Sequence, residues 1–251
     1  MRLDLMRPAE IRAAIAANLP LALPLGVLEY HGEHLPVGMD MLAVSRVLDR
    51  IEAARPDRLI VAPPFPYGAA SLAVAGPEGS GTLQVGAEAL VPFAEALFAG
   101  LLRIGFRNIH AVIHHQTENF AQGMPTDLSF RLGARKAIFA HLERERGEGW
   151  WGAPGMESYY GDHAKGENPF NWVRVHPLFD TAAGDYPFDH AGPGETALML
   201  ALAPEAVAMD MLDAGGHWFV RGAGEATAEL GERGAAMAEA RLLALMGLGA
   251  A

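Results

Sequence analysis

Cysteine is absent from this chain of 251 residues. Its absence excludes disulfides, a thiolate nucleophile and any zinc–sulfur site, so a bound metal would have to be held by His, Asp and Glu. Basic clusters are missing too: the 19 lysines and arginines are scattered and the formal net charge is −11. Nucleic-acid phosphates require concentrated positive charge, so a nucleic-acid partner is not expected. No apolar run reaches membrane-spanning length and the N-terminus lacks a charged-then-apolar signal pattern. A soluble, cytoplasmic protein with no membrane partner is therefore the expectation. Linker-like stretches and internal repeats are also lacking, and one α/β domain over residues 1–251 accounts for the length.

What is present is organised around residues 24–40, PLGVLEYHGEHLPVGMD. An apolar run of strand character leads into Glu29 and His31, which in an extended chain point to one side and offer a carboxylate and an imidazole together. His31-Gly32 stops the strand and Leu35-Pro36 forces an extended turn. Asp40 then stands just before Leu42, Val44, Val47, Leu48 and Ile51, an apolar spacing that predicts a helix. An isolated Asp there would ordinarily only cap the helix. With Glu29 and His31 upstream, the preferred reading is a third ligand, because a carboxylate has two oxygens with which to bridge two cations.

In chain order, residues 8–18 predict a short helix opening on proline, and residues 19–28 the first strand. Residues 59–64 form a continuous apolar run suited to a strand covered on both faces. Residues 66–82 are rich in Gly and Ser, read as an active-site loop containing Ser71. A helix over 85–104, a strand over 109–113 and a helix to about residue 146 follow. That strand ends in His114-His115-Gln116-Thr117-Glu118-Asn119, again histidine plus carboxylate at a strand end, where open α/β sheets bind ligands. Between residues 150 and 187 two strands are expected, over 156–160 and 171–175. The aromatics there, among them Tyr160, Trp172 and Tyr186, form either a packed cluster or a substrate lid. Asp189-His190-Ala191-Gly192-Pro193-Gly194-Glu195-Thr196 opens another helix, with Glu195 in its first turn. A short strand near 207–211 and a helix over 224–246 complete the chain. His110, His141, His176 and His217 have no carboxylate pattern around them and read as surface or satisfied core residues. The architecture implied is a three-layer α/β/α fold with a mainly parallel sheet.

The three groups Glu29/His31/Asp40, His115/Glu118 and His190/Glu195 all lie at strand-to-helix junctions. Their donor types suit Zn, Mn or Fe, and together they point to a hydrolytic centre with two divalent ions. The sequence also resembles the creatininase (creatinine amidohydrolase) family. Its first motif, Gly-x-x-Glu-Gln-His-Gly-x-His-Leu-Pro followed by Asp, is matched by residues 26–36 and Asp40, with Tyr30 replacing Gln. Tyr67-Gly68, Ser80-Gly81-Thr82, Gly105-Phe106-Arg107 and His190-Ala191-Gly192 with Glu195-Thr196 extend the likeness along most of the chain. The resemblance implies that Glu29 and His31 bind different metals bridged by Asp40, that His190 acts near the substrate and that Glu195 supports the metal site. It places Tyr160 in the position of an aromatic that closes over the substrate ring in creatininase, and implies a homo-oligomer, hexameric in the family.

Departures accompany the likeness. Ile113-His114 stands where the family carries Asn-Gly, and His115 and Asn119 are one residue further apart than the corresponding pair. His115 and Glu118 are both read as metal ligands, with Glu195 as substitute if Glu118 is displaced. Tyr186 stands where creatininase has Trp, so creatinine itself is not the expected substrate. The expectation is water-mediated hydrolysis of a C–N bond in a small or cyclic amide, with His190, Glu118 and Glu195 in catalytic roles. Ser71, Gln116, Tyr160, Trp172 and Tyr186 are expected to shape the substrate pocket. Deformylation, peptide trimming or opening of a cyclic ketone at the same metals remains open, as does a binding protein that kept the fold.

Overall fold

Side-chain alternation along two fully buried strands sets the layers. In β1 (Leu21–Leu25) and β3 (Ile109–Ile113), residues Leu21, Leu23, Leu25, Ile109, Ala111 and Ile113 face one helical layer. Ala22 and Val112 face the other. Successive side chains of a strand point to opposite faces, so each strand seeds two cores. The first core is closed by α1 (Pro8–Ala16), α3 (Ala87–Ile104) and α4 (Pro125–Arg146). The second is closed by α2 (Met39–Ala54), α6 (Pro193–Leu202) and α7 (Ala228–Leu245). A short α5 (Tyr159–Lys165) lies between α4 and β4 in the chain. The computed structural model describes residues 1–70, 74, 78–115, 123–166, 168–180, 186–212 and 216–249.

The sheet has the order β2-β1-β3-β4 and every pairing is parallel, with β2 at Ile60–Val61 and β4 at Val173–Pro177. The expected three-layer α/β/α fold is therefore present. Winding reverses between β1 and β3, so their carboxyl ends open a crevice between diverging connections, the usual ligand position in such sheets.

Several local expectations are corrected. The run over 59–64 yields a strand of only two residues. Pro63 and Pro64 have no N–H to donate, and neither has Pro24 in the neighbouring strand. The ladder resumes only at Phe65, whose N–H donates to the Pro24 carbonyl at 2.9 Å. Residues 156–160 are not a strand: Tyr159 and Tyr160 begin α5, between the left-handed Gly155 and Gly166. The aromatics there pack as a cluster, Tyr159 against Trp151 and Phe170, instead of alternating across a sheet. Residues 207–211 form no strand either, since Ala208 donates to the His34 carbonyl at 2.9 Å and Met209–Met211 is a 3-10 turn.

Candidate metal centre

Residues 26–40 leave the end of β1, and their course is fixed by close packing. At Gly26 a Cβ would lie 2.6 Å from the Met41 nitrogen, so only glycine lets α2 approach the strand this closely. Glu29 N–H donates to the Val37 carbonyl at 2.9 Å, folding the segment back on itself. Asp40 is the second residue of α2 and is buried, where its negative charge also complements the helix N-terminus. Across the crevice, His114 and His115 follow β3 directly, and His190 precedes the turn into α6.

Three sets of side chains converge here: Glu29, His31 and His190; Glu29, Asp40 and His115; and His31, Asp40 and Glu195. In each set the nearest donor atoms lie within 4.8 Å of one another, and Glu29, His31 and Asp40 each belong to two of the sets. His115 Nδ1 is 3.4 Å from both Glu29 Oε2 and Asp40 Oδ2. His31 Nε2 is 3.8 Å from Asp40 Oδ1 and 3.6 Å from Glu195 Oε2.

Hydrogen bonds decide which ring nitrogens are available. His31 Nδ1 lies 2.9 Å from the Glu29 carbonyl and His190 Nε2 lies 2.9 Å from the Tyr30 carbonyl. A carbonyl only accepts, so each of these nitrogens carries the proton and the opposite nitrogen of each neutral ring presents a lone pair to the cluster. For His31 this is the orientation of a metal-binding histidine, which donates its second N–H to a backbone carbonyl, while the same bond at His190 leaves Nδ1 able to accept a proton. Asp40 Oδ2 and both ring nitrogens of His115 are buried with no aligned hydrogen bond among the described residues. Such orphaned polar atoms are costly in a folded protein unless something else engages them, and a divalent cation fits this donor set.

The electrostatics agree. Burial alone would lower the His115 pKa, but Asp40 and Glu29 beside it carry it up to about 10. Burial would raise that of Glu195, yet the imidazoles of His31, His114 and His190 bring it down to about 2. Burial lowers His190, with His31 adding to the effect, and lowers His34 for the same two reasons. Three buried carboxylates crowd together and draw positive charge, which either protons or metal ions can supply.

Of the other residues named from sequence, Ser71, Gln116 and Glu118 lie outside the described residues. Trp172 is not at the site. It immediately precedes β4, at the amino end of the sheet, with the Arg107 guanidinium 4.6 Å over its ring. Five-residue strands separate that end from the cluster of histidines and carboxylates, roughly 16 Å at the usual rise. Tyr160 is also elsewhere, 79% exposed and in ring contact with Tyr159. Tyr186 is buried core: its ring stacks on Phe179 and its hydroxyl donates to the Gly194 carbonyl at 2.6 Å, so it braces α6.

Two residues without an assigned role join the site. His114 Nε2 is 3.1 Å from Glu195 Oε1, and His34 Nε2 is 2.9 Å from Thr196 Oγ1, also at the start of α6. The departure at Ile113-His114 was the sequence signal for the first, and the His-Gly-x-His spacing for the second.

Comparison with known proteins agrees with this geometry. The family model for creatininase (creatinine amidohydrolase) matches residues 4–246. A mycofactocin precursor peptide peptidase from Mycobacterium ulcerans (strain Agy99) is 25% identical over 223 residues, 82% of this chain and 69% of that protein. A creatinine amidohydrolase structure superposes with a TM-score of 0.70 at 20% identity, covering 98% of this chain and 96% of that one. A zinc–zinc form of a mutant creatininase gives a TM-score of 0.69 at 21% identity, covering 95% and 93%. The signature residues and the whole-chain match lead to one assignment: this chain belongs to the creatininase (creatinine amidohydrolase) family of hydrolases.

Proposed function

We propose that this protein hydrolyses the C–N bond of an amide at a centre of two divalent ions. The observation that carries the proposal is the sharing of Asp40 between two ligand sets, Glu29/Asp40/His115 and His31/Asp40/Glu195. The orphaned nitrogens of His115 and oxygen of Asp40 accompany it. Bound ions would supply Lewis-acid polarisation of the amide carbonyl and acidify a water at neutral pH. Asp40, whose Oδ1 lies nearest His31 and Oδ2 nearest His115, would offer one oxygen to each set. His190 is 10% exposed against 1% for His31, so it stands at the rim with its unprotonated Nδ1 directed inward. From there it can take a proton at Nδ1 and release it to the leaving nitrogen.

A linear amide, such as a peptide bond, is the favoured substrate. None of Tyr160, Trp172 and Tyr186 is placed to clamp a small ring, and the mycobacterial relative is named a precursor peptide peptidase. Assembly as a homo-oligomer, hexameric by the family resemblance, belongs to the same proposal. The test is metal analysis of protein purified without added metal, combined with assays on cyclic amides and on peptides with free and blocked ends. About two equivalents of zinc-class metal per chain and chelator-sensitive cleavage of peptides are expected. Absence of metal after loading, together with no amide cleavage, would remove the proposal.

A further inference from the structure

We propose that His114 is a positioning residue, holding the Glu195 carboxylate so that Oε2 is presented as the third ligand beside His31 and Asp40. The inference rests on the two-ion reading above and adds to it the residue on which one of the two positions depends.

Glu195 is anchored at both oxygens. Oε1 faces His114 Nε2 at 3.1 Å, and because an ionised carboxylate only accepts, that nitrogen must be the donor. Oε2 accepts from the Ala191 N–H at 2.7 Å and lies 3.6 Å from the His31 Nε2 that carries a lone pair. The two donors come from different elements, the end of β3 and the turn before α6, so together they stop the carboxylate from rotating. Without the imidazole, the Ala191 N–H is the one hydrogen bond to Glu195 left among the described residues, and repulsion from Asp40 would favour swinging the carboxylate away. His114 is itself fixed, with its ring edge-on to Phe179 at 5.7 Å and its side chain 12% exposed. Its place in the sequence fits the role: His114 follows the last residue of β3 and precedes His115, so one strand end serves both ligand sets.

The prediction is asymmetric. The position formed by Glu29, Asp40 and His115 does not use the His114 contact, whereas the position formed by His31, Asp40 and Glu195 does. Groups that orient metal ligands commonly alter affinity 10–100-fold. The test is a titration of metal-free protein with Co2+, followed by visible absorption, with melting curves for each variant. Gln places a donor where Nε2 was, while Asn reaches only as far as Nδ1. In His114→Asn, one Co2+ should bind as in the wild type and the second about 10–100-fold more weakly, and His114→Gln should restore the second. Should the Asn variant fail to fold, His114→Ala carries the same comparison. Two equivalents of wild-type affinity in a folded Asn or Ala variant would overturn the proposal. Equal loss in the Gln and Asn variants would overturn it as well. Fewer than two equivalents in the wild type would instead remove the two-ion reading itself.

Discussion

Two groups of buried imidazoles lie close together along β3 and serve opposite ends. At the strand's carboxyl end, His114 and His115 sit among Glu29, Asp40 and Glu195. Within the strand, His110 meets only neutral partners at its ring nitrogens. Asn108 Nδ2 donates to the Asn18 carbonyl at 3.2 Å, which turns Asn108 Oδ1 toward His110 Nε2 at 2.8 Å. His110 Nε2 therefore carries the proton, and His110 Nδ1 accepts from His176 Nε2 at 3.0 Å. This pair is a closed hydrogen-bonded link between β3 and β4, whereas neither ring nitrogen of His115 has an aligned hydrogen bond among the described residues and its Nδ1 faces two carboxylates. Burial does not separate a ligand from a structural histidine. The charge and the unfilled lone pairs around it do.

The sharpest way to test the contrast is to remove the shared carboxylate. Asp40→Asn should empty both metal positions and lower amide hydrolysis ~10³-fold or more, the loss of several kcal/mol of electrophilic assistance. His176→Gln, which keeps a donor for His110, should bind metal and turn over within about two-fold of wild type. Metal analysis and steady-state kinetics on the two variants decide this.

Acid should strike the structural pair through stability. Burial, then the neighbouring His176 and Arg174, hold His110 down at about 3. Burial, then Arg174 and Arg241, hold His176 at about 4. Both lie below the ~6.5 of an unfolded histidine, so between these values the unfolded chain binds more protons and stability rises with pH. Full stability from this source is present above pH ~6.5 and is lost as pH falls toward 4, by up to about 1.4 kcal/mol per pH unit for each proton. Urea melts from pH 7.5 to 4.5 should show this slope, and His176→Gln should reduce it by as much as one proton's share.

Smaller effects are expected from backbone and packing. Ala191 is left-handed, with φ of 55°, between His190 and the start of α6. Ala191→Gly relieves that strain but deletes a fully buried core methyl and loosens the unfolded chain, opposing effects of about 1 kcal/mol, so Tm should stay close to wild type, with the N–H to Glu195 retained. Trp172→Phe should cost about 0.5–1 kcal/mol through the weakened Arg107 contact. Its KM and kcat should stay at wild-type values, because the residue lies at the other end of the sheet; a raised KM would restore it to the substrate pocket.

Most of the architecture was legible in the sequence because the strands and long helices are amphipathic or continuously apolar. The strand Ile109–Ile113 and the helices ending at Ala54 and Arg146 match the spacing, while their starts at Met39 and Pro125 do not, since Asp40 lies inside its helix and not at the cap. The segment 150–187 is legible only in part: aromatics suit strands and clusters equally, and the packing of Tyr159 on Trp151 and Phe170 distinguishes them. The same ambiguity grouped Trp172 and Tyr160 with the site, whereas Trp172 precedes β4 at the amino end of the sheet and Tyr160 is exposed on α5. His114 was missed as a participant because its partner, Glu195, is 81 residues away.

The sequence by itself determined which residue types could hold metal and that they stand at strand ends, since the chain has no cysteine and strands deliver their last side chains to one edge. Only the tertiary structure decided which of the ten histidines face carboxylates and which ring nitrogen of His31 and of His190 is free. Those choices depend on through-space contacts and on single backbone carbonyls, which no spacing along the chain encodes.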